Sequence, residues 1–389
     1  MAKTFPIPPY PEPLPLERLK VFPLSDRKSL TTIDQILVQP EAAPGGISEA
    51  QQSTIAECAA AVLRARQQGA TVMLIYGAHL LRNGAALILE RMMANGWITH
   101  LATNGAGTIH DWEYAYLGRS TESVEENVAT GSFGTWDETG RNIHMALYAG
   151  LLRGEGYGRA LGRFIEKDGA HFPAASALAG FSGVTSEYIS LGGRRPLPEA
   201  YRGDAEKFET FNALALGLIS EGHYRIQHQW KHASILAQAF RHNIPLTVHP
   251  GIGYDIISNH PMFNGALIGR AATIDFKLFG GSVERLDNGV VLSVGSAIMG
   301  PQVFEKSLSC VNNLRLQSGR SIVSGHSIYV VDLQDGGNWD WSQSEPPKTH
   351  PAYYLRFCKS FSRMGGRMQY LQCDNLSFVH HLYRALEQG

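Results

Sequence analysis

TVMLIYGAHLLRNG, residues 71–84, is the stretch on which the fold reading turns. TVMLIY (71–76) is an unbroken apolar run rich in branched side chains, the pattern of a parallel strand buried on both faces. A loop from Gly77 to Gly84 follows, then a helical run over 85–95 and a second apolar strand, WITHLAT (97–103). That is one βαβ unit. Upstream, 51–68 carries apolar residues at helical spacing and is closed by Gly69. Downstream the alternation recurs. HASILAQAFRHN (232–243) feeds PLTVH (245–249), and GALIGRAATIDFKLFGGSVERL (265–286) feeds GVVLSVG (289–295). PQVFEKSLSCVNNL (301–314) then feeds SIYVVD (327–332), and RMQYLQ (367–372) runs into NLSFVHHLYRAL (375–386). Alternating strands and helices of this kind predict an α/β fold, a parallel sheet with helices on both faces.

Two regions stand outside the alternation. Residues 1–50 hold seven prolines before position 24 and read as an extended N-terminal arm. Residues 112–231 contain helical runs (137–153 and 205–221) and glycine-rich joints but no clear strand, and read as a mostly helical insertion in a single domain over 51–389. GEGYGRALG (154–162) resembles a dinucleotide fingerprint in its glycines, but it follows a helical run and reads as a joint between helices. The P-loop pattern for phosphate binding is absent.

Composition narrows the function classes. The 389 residues are 44% hydrophobic with a formal net charge of −1, which argues against a nucleic-acid or membrane-surface partner. A charged fraction of 18% is low, as when surface is buried between subunits, and favours an oligomer. Cys58, Cys310, Cys358 and Cys373 lack the spacing of a zinc site or disulfide framework and read as reduced thiols. The proline-rich start has no apolar core of a signal peptide, so a cytoplasmic location is expected.

In an open parallel sheet the ligand sits beyond the carboxyl ends of the strands. The loops there are GAHLLRNG (77–84), TNGAGTIHD (103–111), HPGIGYDIISNHP (249–261), GSAIMG (295–300) and CDN (373–375). Their glycines permit close backbone approach to a phosphate or ribose, and Asp255 and Asp374 are placed to hold a ribose hydroxyl. His110 and Asp111, with Glu113 nearby, are candidate acid–base groups, and Arg82 and Asn83 candidate contacts for phosphate or carboxylate. The bland readings are a helix cap for Asp111 and a surface role for His110. His249, Asp255 and His260 form a second cluster that, with His110 and Asp111, offers metal ligands in no established spacing.

On these loops the chain resembles deoxyhypusine synthase and its bacterial relatives over 71–117, 232–313 and 367–386. TNGAGTIHD is similar to the bacterial N-G-A-G-x-I-H-D, and Cys373-Asp374-Asn375 aligns with an alanine-aspartate-alanine strand end. The resemblance implies a Rossmann-like fold and an NAD pocket lined by Gly77, Thr103, Asn104, Gly105, Asp255, Gly295, Ser296 and Asp374. It also implies a homodimer or homotetramer. The catalytic serine-tryptophan-glycine-lysine context of true synthases is absent, leaving Lys359 as the nearest lysine candidate beside His110, Asp111 and His249. The expectation is an NAD-dependent transferase or oxidoreductase for a small amine-type substrate, not a true deoxyhypusine synthase. The alternatives are an NAD- or nucleotide-binding protein without catalysis and a metal-assisted lyase or hydrolase.

Overall fold

The computed structural model describes residues 10–178, 199–341 and 345–389. Six parallel strands form its central sheet: β1 (Val72–Tyr76), β2 (His100–Thr103), β3 (Leu246–Val248), β4 (Val290–Val294), β5 (Ser327–Asp332) and β6 (Arg367–Gln372). Their spatial order is 3-2-1-4-5-6 and every pairing is parallel, with Leu74 of β1 opposite Leu101 on one side and Leu292 on the other. This is the doubly wound, Rossmann-like order, in which the chain reverses direction across the sheet between β1 and β4.

The pleat explains the continuous apolar strands. Val72, Leu74 and Tyr76 point into one core, with residues of the helices Glu49–Gln67, Ala86–Ala94 and Asn375–Gln388. Met73 and Ile75 point into the other, with Phe279, Val283, Phe304 and Phe361 of the helices Gly265–Val283, Met299–Gln317 and Arg356–Ser362. A strand covered on both faces has no position at which a polar side chain meets water. Trp341 is buried in this second core as well.

The region read as an insertion is largely helical, with the helices Asp137–Leu151 and Tyr157–Glu166 prominent, but it also holds an antiparallel strand pair, Gly169–Phe172 against Gly222–Arg225. The strands escaped the sequence reading because each is four residues long and half exposed, with no apolar run. The insertion docks on the sheet edge at Gly158, where a Cβ would lie 1.8 Å from the Leu246 carbonyl oxygen. GEGYGRALG divides accordingly: 154–156 is the joint and the rest belongs to the helix beginning at Tyr157.

The arm does not stay extended beyond its first turns. Thr31–Thr32 pairs antiparallel with Arg119–Ser120, Phe22 bridges to Trp136, and Leu24, Arg27 and Ile33 are buried. No proline falls between Pro23 and Pro40, and over that stretch ordinary donors and apolar side chains let the segment pack. All four cysteines are free, and no helix among the described residues is long and apolar enough to cross a membrane.

Candidate functional site

At the switch point, β1 and β4 end side by side in glycine. A Cβ on Gly77 would lie 2.2 Å from the Gly295 carbonyl oxygen, so the two loops approach more closely than any side chain allows. Gly295 has φ +60, and a Cβ there would lie 2.4 Å from Nδ2 of Asn375. The loop after β4 runs into the long helix Met299–Gln317, whose start carries no side-chain cap, while Ser296 Oγ accepts from the Gly300 N–H (3.1 Å). A glycine turn into an uncapped helix start is the geometry that receives a pyrophosphate. β5, the next strand, ends in Asp332, where an acid holds a ribose diol in the doubly wound arrangement. Asn375 Oδ1 is buried without a partner at the mouth of the same crevice. These features fit a dinucleotide such as NAD. Asp332 and Asn375 were not assigned roles from sequence, although SIYVVD ends in an acid at a strand terminus, the signal that finds it.

One strand over, beyond β1 and β2, lies a cavity of about 270 Å³ lined by Arg27, Arg82, Ala106, His110, Glu113, Tyr254 and Asp255 among others. It forms around the start of the helix Gly105–Leu117, which Asn104 caps by accepting from the Gly107 N–H (2.9 Å). Asp255 lies over that first turn: a Cβ on Gly105 would sit 2.1 Å from its carboxylate, and Oδ2 accepts from the Gly251 N–H (2.7 Å). Burial pushes the Asp255 carboxyl up to about 6, against the backbone N–H groups of Gly251 and Ala106 that favour its ionised form.

His110 enters the cavity on the same helix. Glu113 accepts from Arg27 Nη1 (2.7 Å), Thr139 Oγ1 (2.9 Å) and Ser120 Oγ (2.5 Å). Because Ser120 donates its proton to Glu113, its oxygen accepts from His110 Nδ1 at 2.8 Å. The neutral imidazole therefore carries its hydrogen on Nδ1 and leaves a lone pair on Nε2. Burial draws the His110 pKa down to about 4, with Arg82, Arg27 and His79 acting the same way and Glu113 opposing. His110 is a neutral base at physiological pH, oriented through Ser120 by a charged pair.

The structure does not bring the other proposed catalytic groups here. Asp111 points off a different side of the helix and accepts from Ser234 Oγ (2.6 Å), Ile235 N–H (2.9 Å) and Leu236 N–H (3.0 Å). It caps the neighbouring helix Ile235–Arg241, one residue round from His110 and so about 100° away on the helical wheel. His249 bonds Thr247 Oγ1 through Nε2 (3.1 Å) and meets Phe279 edge-on, on the face of the sheet away from the cavity. Lys359 Nζ pairs with Glu345 at 2.6 Å and lies over the Tyr353 ring; the Glu345 carboxylate raises its pKa, so the amine is held charged. His260 is buried beside Asp137 and stacks on His144, and among the described residues no group of three or more His, Cys, Asp or Glu could hold a metal.

Of the expected cofactor contacts, Gly77, Gly295 and Ser296 meet at the crevice. Thr103 is buried, tying β2 to β1 through its hydroxyl to the Tyr76 carbonyl (3.0 Å) and packing on Gly107. Asp255 lines the cavity instead, packed on the helix start that Asn104 and Gly105 form. Asp374 is exposed and caps the last helix by accepting from the Ser377 N–H (2.9 Å). Arg27, from the arm, is a cavity residue for which the local sequence carries no signal. A larger concavity, about 670 Å³, lies among the insertion helices and the strand pair Gly169–Phe172 and Gly222–Arg225, and contains no strand-end residue of the central sheet.

No protein-family model and no curated protein sequence matches the chain. Among solved structures it is similar to AgrE in a ternary complex with ornithine and NAD+, at 13% identity over 88% of this chain and 34% of that one, with a TM-score of 0.44. It is similar at 13% identity to ArgZ, an arginine dihydrolase from the ornithine-ammonia cycle in cyanobacteria, over 88% of this chain and 32% of that one (TM-score 0.41). A conserved LOR/SDH protein from Methanococcus maripaludis S2 matches at 14% identity over 90% of this chain and 74% of that one (TM-score 0.40). The chain spans about a third of the AgrE and ArgZ chains. None of the three is a deoxyhypusine synthase. The fold assignment rests on the strand order itself.

Proposed function

We propose that the protein is an NAD-dependent enzyme that oxidises a small amine-bearing substrate. The observation that carries this is the adjacency of two sites: a glycine-lined switch-point crevice and, one strand away, a cavity with an oriented neutral histidine. Gly77, Gly295, Ser296 and the start of the helix Met299–Gln317 hold the pyrophosphate, and Asp332 the ribose diol. NAD supplies a hydride acceptor there. In the cavity His110 Nε2 takes the proton that the substrate loses, and the Glu113–Ser120 pair stabilises the imidazolium that results. Butylamine transfer of the synthase type is left out of this proposal, because Lys359 is ion-paired on a helix outside both sites. The AgrE complex with ornithine and NAD+ shares the chemical class of this reading.

Calorimetric titration with NAD tests it. Micromolar binding, weakened at least tenfold in Asp332→Ala, is expected. Failure of the wild-type protein to bind NAD would overturn the proposal.

A further inference from the structure

The cavity is built for a particular charge pattern. Arg27 is buried to 3% exposure. Its Nη1 is committed to Glu113, but Nη2 is enclosed without a partner. Arg82, in the loop after β1, donates no hydrogen bond and forms no ion pair with the described residues, and its Nε is likewise buried and unpartnered. Unpaired buried donors on a cation are costly, and two guanidinium groups lining one cavity leave a site for an anion with planar, forked acceptors. The acids around them do not fill that need. Glu113 is saturated by Arg27, Thr139 and Ser120, and Glu122 accepts from Trp136 Nε1, Asn127 Nδ2 and the Gly134 N–H. Asp255 is different: its contacts are backbone N–H groups, and no cation among the described residues pairs with it. The same cavity thus carries an unpaired positive charge on Arg82, an unpartnered donor on Arg27 and an unpaired negative charge on Asp255.

We infer that the cavity binds a zwitterion: a small amino acid whose carboxylate lies on Arg82 and Arg27 and whose ammonium lies on Asp255. The inference rests on the reading of this cavity as the substrate site of an NAD enzyme and names its substrate class. A volume of about 270 Å³ suits a molecule of amino-acid size, since drug-sized ligands occupy roughly 300–1,000 Å³. The arrangement also sets the amino nitrogen on the helix that carries His110, the group proposed to receive its proton. Both charges of the ligand are matched by groups already in place, so binding relieves the buried unpaired donors Arg27 Nη2 and Arg82 Nε as well as making new bonds.

The probes are the proteinogenic L-α-amino acids and the straight-chain ω-amino acids from β-alanine to 6-aminohexanoate, each with its decarboxylated amine and its deaminated acid. Binding is read by calorimetry on the full chain, with and without NAD. At least one amino acid is expected to bind, with its amine and acid counterparts each at least tenfold weaker. Arg82→Gln, half-exposed and outside any ion pair, should fold normally, weaken the amino acid and the acid at least tenfold, and leave the amine unchanged. Asp255→Asn should do the reverse. An acid counterpart that binds as tightly as its amino acid, or NAD binding with no binding of any probe, overturns the inference and leaves the enzyme reading standing. Selective amino-acid binding without NAD binding upholds the zwitterion site and removes the NAD reading instead.

Discussion

Asp255 shows how a functional residue is kept at the expense of the fold. Its carboxyl is buried on the first turn of a helix, and its pKa is pushed up to about 6 from the ordinary 3.8. A carboxyl whose folded pKa is raised contributes stability below its unfolded pKa, and that contribution is lost as pH rises through the folded value. Above pH 6 the ionised group therefore opposes folding, by up to about 3 kcal/mol at 1.36 kcal/mol per unit. Asp255→Asn keeps an acceptor for the Gly251 N–H and removes the charge. Urea denaturation should find it more stable than wild type by about 1–3 kcal/mol at pH 7.5, with the gain gone near pH 4. Equal stability at both pH values would mean that the carboxylate is already matched in the folded state. The same substitution removes the group assigned to the ligand's ammonium, a trade of stability for activity. His110 shows the complementary case: a pKa drawn down to about 4 keeps it a free base across the range where Asp255 is ionised.

At the scale of the element, the helix Gly105–Leu117 separates chemistry from support by angle alone. His110 and Glu113 lie three residues apart and face the cavity together, while Asp111 is turned to the helix Ile235–Arg241. The sequence HD offers two adjacent polar residues, and nothing local says which one faces ligand. Asp111 satisfies two backbone N–H groups and one hydroxyl at a buried helix start. Asp111→Ala strands those donors and should cost about 2–4 kcal/mol. Denaturant titration should show that loss, while NAD affinity measured well below the melting temperature stays within threefold of wild type. A Kd for NAD that collapses in the folded variant would return Asp111 to the site.

At the scale of the molecule, the arm closes the site. Residues 22–33 cross from Trp136 to Ser120, bury Leu24 and deliver Arg27 to Glu113. Glu113 in turn fixes the tautomer of His110, so the arm's docking and the histidine's function are linked through one ion pair. Leu24 is fully buried and its N–H donates to Glu138 Oε2 (2.6 Å). Leu24→Ala should destabilise by about 2–5 kcal/mol. Limited proteolysis should then cut within 22–33 faster than in wild type. An unchanged cleavage pattern would show that the arm is held without this contact.

The inner strands were legible from the sequence because burial on both faces demands continuous apolar runs, and SIYVVD matches β5 to the residue; RMQYLQ, partly exposed at the sheet edge, also matches β6. The strand-end loops were legible for the same reason: a parallel sheet places them all at one edge, and glycines marked where backbones converge, as Gly77 and Gly295 do. Tertiary structure alone decided which loop residues meet. Strand order is a choice among long-range pairings that local pattern does not encode, and it put Asp332, not Asp374, beside the glycine turn of β4. It also turned His249 to the far face and brought Arg27 across 86 residues to Glu113. Periodicity reports whether a side chain is buried. Its partner is set by the packing of elements distant in the chain, and charge matching in the cavity exists only once those elements are assembled.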